Sequence, residues 1–133
     1  MKIENHLNSF SEHRETIFEW GVRVKGIKNS QRVIGLHCPR AIIDLLSAYL
    51  LETSKIDVST HLNHRWFKAK NAGDRIPEFP NKNKIISMIR ELELLCENLA
   101  YGSPQSEEKI KKALELFNSI EKEIMQIRKN EKK

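Results

Sequence analysis

Residues 30–53 read SQRVIGLHCPRAIIDLLSAYLLET, and this stretch decides the fold. Ile34, Cys38, Ala41, Leu45, Ala48 and Tyr49 recur at spacings of one, three and four, the pattern of a helix with one apolar face. Pro39 lies inside the pattern, where it removes one backbone hydrogen bond and its ring presses on the carbonyl four residues back. That residue is Gly35, the most permissive one available. The apolar phase continues past Pro39, so the spacing predicts one kinked helix over about 30–53. A helix that begins with Pro39 in its first turn is the alternative.

The same period extends in both directions. Upstream, residues 6–28 place Phe10, Ile17, Phe18, Gly21 and Val24 near one face, with Ser9 and Glu12 spaced as a capping box. Asn29-Ser30 offers a break and a new N-cap. Downstream, Asn81 is expected to cap a helix bearing Ile85, Met88, Ile89, Leu92, Cys96 and Leu99, stopped by Gly102 and Pro104. Ser106, Glu107 and Glu108 then open a last helix with Ile110, Ala113, Leu114, Phe117, Ile120, Ile124 and Ile127 on its apolar side. Residues 54–80 are the one long irregular region, broken by Asn71, Gly73, Pro77 and Pro80. Within it Ser59 or Thr60 is expected to cap a short helix through His61, Leu62, Trp66 and Phe67. No stretch alternates as a strand would. The expected fold is all-α, an antiparallel up-and-down bundle of four long helices plus one short helix.

Composition narrows the class. At 133 residues the chain is one domain, 1–133, with about 128–133 expected as a basic, frayed tail. Apolar content of 39% and charged content of 31% exclude a disordered chain, and residues 1–8 hold no apolar signal-peptide core. No uninterrupted apolar run approaches about 18 residues, so no membrane association is expected. Cys38 and Cys96 alone make neither a disulfide framework nor a zinc cage, which points to a reducing, cytoplasmic setting. Net charge is +5, with +4 concentrated in residues 14–40 and again in 55–84. Solvated helix faces account for such alternation, and so does a surface that attracts RNA or nucleotide.

The order of helices, together with three local stretches, resembles the HEPN domain of prokaryotes. The stretches are Arg40-Ala41-Ile42-Ile43-Asp44-Leu45-Leu46-Ser47-Ala48-Tyr49-Leu50, Thr60-His61-Leu62, and Leu99-Ala100-Tyr101-Gly102-Ser103-Pro104 leading into Ser106-Glu107-Glu108-Lys109-Ile110. The resemblance implies an antiparallel helical bundle, frequently homodimeric. It further implies either a non-catalytic module partnered with a small nucleotidyltransferase or a metal-independent ribonuclease.

The ribonuclease branch of that family pairs an arginine with a histidine after four to six intervening residues, and Arg32-x4-His37 has the spacing. Histidine can move a 2′-hydroxyl proton and arginine can stabilise phosphorane charge. On an ideal helix, however, residues five apart point about 140° from each other. The second constellation is His61-x-x-His64-Arg65-Trp66-Phe67-Lys68-x-Lys70, in which basic residues interleave with aromatics. His61, His64, Arg65, Lys68 and Lys70 are therefore the expected anion-binding residues. His61 and His64 lack a neighbouring cysteine or carboxylate in sequence, so neither metal nor cofactor is expected. His6 and His13, seven apart, suggest nothing specific. No phosphate loop, G-x-S-x-G, H-E-x-x-H or C-x-x-C motif occurs. The expected function is a non-catalytic, dimeric module that binds a partner protein, nucleotide or RNA. The alternative is a small ribonuclease. Dimerisation is expected because Met88, Cys96, Met125 and Ile127 exceed one narrow apolar stripe.

Overall fold

A computed structural model describes residues 1–131, and they form an all-helical bundle without strands. The α-helices are α1 (Ile3–Glu15), α2 (Gln31–Glu52), α3 (Lys82–Tyr101) and α4 (Glu107–Glu131). Side-chain pairs fix their directions. His6 meets Asp44 while His13 meets His37, so α1 and α2 are antiparallel. Lys84 pairs with Glu123 and Lys112 with Glu91, so α3 and α4 are antiparallel too.

Helix α2 is the central element, and it packs on all three others. It runs unbroken through Pro39, as the apolar phase requires. Ile34, Cys38, Ala41, Ile42, Leu45, Leu46, Tyr49 and Leu50 on it have no exposed surface. The segment Lys28–Glu52 is long and apolar enough to cross a membrane, and most of it is buried inside the bundle. Gly35 has a reason beyond tolerance of Pro39. A Cβ there would stand 2.5 Å from the Ala100 nitrogen and 2.9 Å from the Cys96 carbonyl, so α2 and α3 touch backbone to backbone at this point. Gln31 ties the start of α2 to the α3–α4 turn. It donates to the carbonyls of Leu99 and Ser103 at 3.1 Å and accepts from the Gln105 N–H at 2.8 Å.

Several local expectations are corrected. Helix α1 begins at Ile3, and Ser9 lies in its middle, where it donates to Asp44 instead of capping. From Thr16 to Lys25 the helix continues with the wider π hydrogen-bonding pattern. More residues per turn rotate the face, so Val24 is 66% exposed where a 3.6 period puts it inside. The break comes at Gly26, whose φ of 84° suits glycine, and the Ser30 hydroxyl donates back to the Gly26 carbonyl at 2.7 Å. The short helix expected through His61 to Phe67 is instead a 3₁₀ turn, His64–Lys68. Asn63 caps it by accepting the Arg65 N–H at 2.9 Å, because Ser59 and Thr60 are spent on a turn around Asp57. Asn81 adopts a left-handed conformation and makes no side-chain cap. Ser106 does cap α4, accepting from the Lys109 N–H at 3.3 Å.

The irregular segment is packed down. Phe67, Ala72, Ile76 and Phe79 are buried in the core, and Arg90 of α3 donates to the Lys68 carbonyl at 3.0 Å. Helix α4 continues as far as Glu131. Arg128 makes a two-pronged pair with Glu52 at 2.6 and 3.0 Å, and Tyr49 donates to Glu131 at 2.5 Å. Burial, followed by the Glu131 carboxylate, pushes the Tyr49 hydroxyl pKa upward. Lys132 and Lys133 lie outside the described residues. Of the residues read as surplus apolar surface, Cys96 and Ile127 are in the core and Met88 packs against it, leaving Met125 exposed.

Candidate functional site

Two polar stripes of equal spacing face each other across α1 and α2. His6, Ser9 and His13 follow one another at three and four residues on α1, and His37, Arg40 and Asp44 do the same on α2. Antiparallel packing brings the stripes into register. Asp44 receives His6 Nδ1 at 2.8 Å and the Ser9 hydroxyl at 2.6 Å, with His13 Nε2 at 3.7 Å. At the other end, His13 and His37 meet nitrogen to nitrogen, Nδ1 to Nδ1, at 2.9 Å. One ring must donate and the other accept, so this contact requires at least one neutral imidazole.

The surroundings enforce that condition. The His13 pKa is lowered from 6.5, chiefly by burial; Asp44 opposes the shift, Arg40 adds to it and Glu12 opposes it. The His37 pKa is lowered too, by burial first, then by His13 and by Arg40. Arg40 itself donates to the Leu36 carbonyl within α2 and, among the described residues, pairs with no carboxylate.

Beside this seam the segment 61–66 closes a cleft of about 510 Å³, bordered by His13, Arg40, Asp44, His61, His64 and Trp66. His64 Nδ1 stands 2.7 Å from Oε1 of Glu93 on α3, a carboxylate only 4% exposed. Arg75 lies over the Trp66 ring, 5.0 Å from its centre. All five histidines of the chain therefore gather in and behind one cleft with an arginine. A larger depression of about 890 Å³ near Lys2, Leu51 and Val58 has no such convergence. Among the described residues no three His, Cys, Asp or Glu side chains gather closely enough to hold a metal ion.

The residues singled out from the sequence separate into different places. Arg32 donates to the Leu99 carbonyl at 3.0 Å, toward α3, whereas His37 faces His13 on α1, so the two do not meet within the protomer. His61 and His64 are in the cleft. Arg65 and Lys68 border a small void between α2 and α3, with Lys68 paired to Glu97. Lys70 lies at another depression, near Asp74 and Arg90. His6, Ser9, His13, Arg40, Asp44 and Glu93 were not legible as site residues. The available signal was the shared spacing of three and four in two neighbouring helices, which acquires meaning only when the helices pair. Comparison of the chain with protein-family models, curated proteins and solved structures returns no match.

Proposed function

We propose that the protein is a HEPN-like helical module that binds a phosphate-bearing ligand, nucleotide or single-stranded nucleic acid, in the histidine–arginine cleft. The carrying observation is the convergence of His13, His61, His64 and Arg40 on one cavity of about 510 Å³, a size that suits a small ligand. Arg40 supplies a fixed cation and the imidazoles supply donors for phosphate oxygens. Trp66, at the rim, offers a ring for a base to stack on. Asp44 would repel an anion, and its charge is answered by His6, Ser9 and His13.

The test is tryptophan fluorescence in a Trp20→Phe background, which leaves Trp66 as the reporter. Titration with a mononucleotide or a short oligonucleotide at low salt should quench it, and Arg40→Gln should weaken binding about tenfold or more. Absence of quenching and of calorimetric heat would refute the reading. The same proposal includes a homodimer and a nucleotidyltransferase-type partner. Light scattering that returns 15.6 kDa at high concentration would remove the dimer.

A second reading, a small metal-independent ribonuclease, draws support from the His13–His37 contact beside Arg40. Paired imidazoles can relay a proton, and an arginine can stabilise phosphorane charge. This version uses Arg40 in the role first assigned to Arg32. RNA cleavage lost in His37→Ala but retained in Arg32→Ala would favour it.

A further inference from the structure

Among the described residues Glu93 is the one buried carboxylate, and its second oxygen, Oε2, has no hydrogen-bond partner there. Its first oxygen is 2.7 Å from His64 Nδ1, and His64 borders both the cleft and a void of about 30 Å³ that Glu93 also lines. That void of about 30 Å³ has room for a water, which needs roughly 10–15 Å³. A buried carboxylate is costly unless it is paired, and the Nδ1–H of His64 is the donor that Glu93 finds. With Nδ1 committed to Glu93, Nε2 is the ring nitrogen left for a ligand.

We propose that Glu93 and His64 form a proton-linked latch for a phosphate monoester: when the terminal phosphate binds beside Arg40, His64 takes a proton on Nε2 and, as an imidazolium, donates a hydrogen bond from it to a phosphate oxygen. This inference rests on the phosphate-binding reading above and narrows its ligand. A monoester has its second ionisation near about 6, close to the roughly 6.5 of an imidazole, so the two can share a proton at neutral pH. A phosphodiester has no ionisation in that range and cannot. The balance is simple. One proton passes from water or buffer acid to Nε2, forming the N–H bond of the imidazolium; Glu93 is its counter-charge, and no bond between heavy atoms changes.

The neighbours of His64 fit this role. Helix α2 presents Arg40 as cation and Asp44, already bonded to His6 and Ser9. Helix α1 presents His13, whose lowered pKa keeps it neutral and leaves the imidazolium role to His64. On its own segment lie His61, Arg65 and Lys68, and on α3 Glu97 is paired with Lys68. Cys96 and Tyr101 complete the void side. Glu93 is thus the carboxylate in hydrogen-bond contact with the His64 ring.

Isothermal titration calorimetry on the full chain tests the latch, with adenosine monophosphate, inorganic phosphate and cyclic adenosine monophosphate as probes. Runs at pH 7.5 in buffers of different ionisation heat read the proton count. The expected result is uptake of about one proton with adenosine monophosphate or inorganic phosphate, and weak binding of the cyclic diester. Glu93→Gln keeps the shape but not the charge, so it should abolish the uptake and weaken adenosine monophosphate about tenfold, leaving the diester unchanged. Binding of the monoester without proton uptake, or uptake that survives Glu93→Gln, would overturn the latch while the binding reading stands. Failure of every probe to bind wild-type protein would remove both. Should Glu93→Gln not fold, nitrogen NMR of His64 in the wild type decides. Its Nε2 resonance must move to the protonated position on saturation with adenosine monophosphate, and an unmoved resonance overturns the proposal.

Discussion

Helix α2 meets α3 and α1 through two very different seams. Toward α3 it presents Gly35 and Cys38 against Cys96, Leu99 and Ala100, close enough for backbone contact, with Gln31 and Arg32 donating to the Leu99 carbonyl at its edge. Burial raises the Cys38 thiol pKa, and contact with Cys96 adds to the rise. Toward α1 it presents His37, Arg40 and Asp44 against His13, Ser9 and His6. The first seam is held chiefly by shape, the second by directed hydrogen bonds, several of which depend on the protonation of a histidine. A single helix can therefore carry the rigid core of a bundle on one side and its titratable chemistry on the other.

The largest effect should come from breaking the shape-held seam. Gly35→Ala places a Cβ 2.5 Å from a backbone nitrogen, where no side chain can move aside. A loss of about 3 kcal/mol in urea unfolding is expected, and a loss below about 1 kcal/mol would show that α2 and α3 can spread. The hydrogen-bonded seam should respond next. Asp44→Ala leaves His6 and Ser9 without their shared acceptor, for an expected loss of about 2 kcal/mol in the same measurement.

A third prediction separates the seams by pH. His13 and His37 both have folded-state pKa values below the ordinary 6.5, so the unfolded chain binds protons more readily. Their contribution to stability is fully present above about 6.5 and is lost as pH falls from there through the lower folded-state values. Urea midpoints from pH 7.5 to 5 should decline, and a His13→Gln, His37→Gln double variant should flatten that decline. An unchanged slope in the double variant would place the acid sensitivity elsewhere. The smallest effect belongs to the clip that closes the far end of α2. Arg128→Ala, which removes the two-pronged pair with Glu52, should cost about 1 kcal/mol and leave the pH slope alone.

The shape-held seam was partly legible. Apolar periodicity marked α2, α3 and α4 and carried α2 correctly through Pro39, and Gly102, Pro104 and Ser106 marked the α3–α4 turn. Gly35 stood out only as the residue four before Pro39, since a close approach between helices leaves no local trace. The hydrogen-bonded seam was hardly legible. Ser9 read as a cap because Glu12 follows it, whereas the hydroxyl found a stronger acceptor 35 residues away. His61 and His64 were selected by composition and do reach the cleft, but Arg65, Lys68 and Lys70 go to other surfaces.

Burial of apolar side chains is a local, periodic demand, so the sequence alone determined that this chain folds as helices and where most of them turn. Partners for polar groups are chosen by proximity in space, across 24 to 38 residues of chain for His13–His37, His64–Glu93, Ser9–Asp44 and His6–Asp44. The π turns that rotate Val24 outward, the glycine contact that sets α2 against α3, and the gathering of His13, His61 and His64 at one cleft were decided by tertiary packing. Each depends on how two helices meet, and no single helix encodes that meeting by itself.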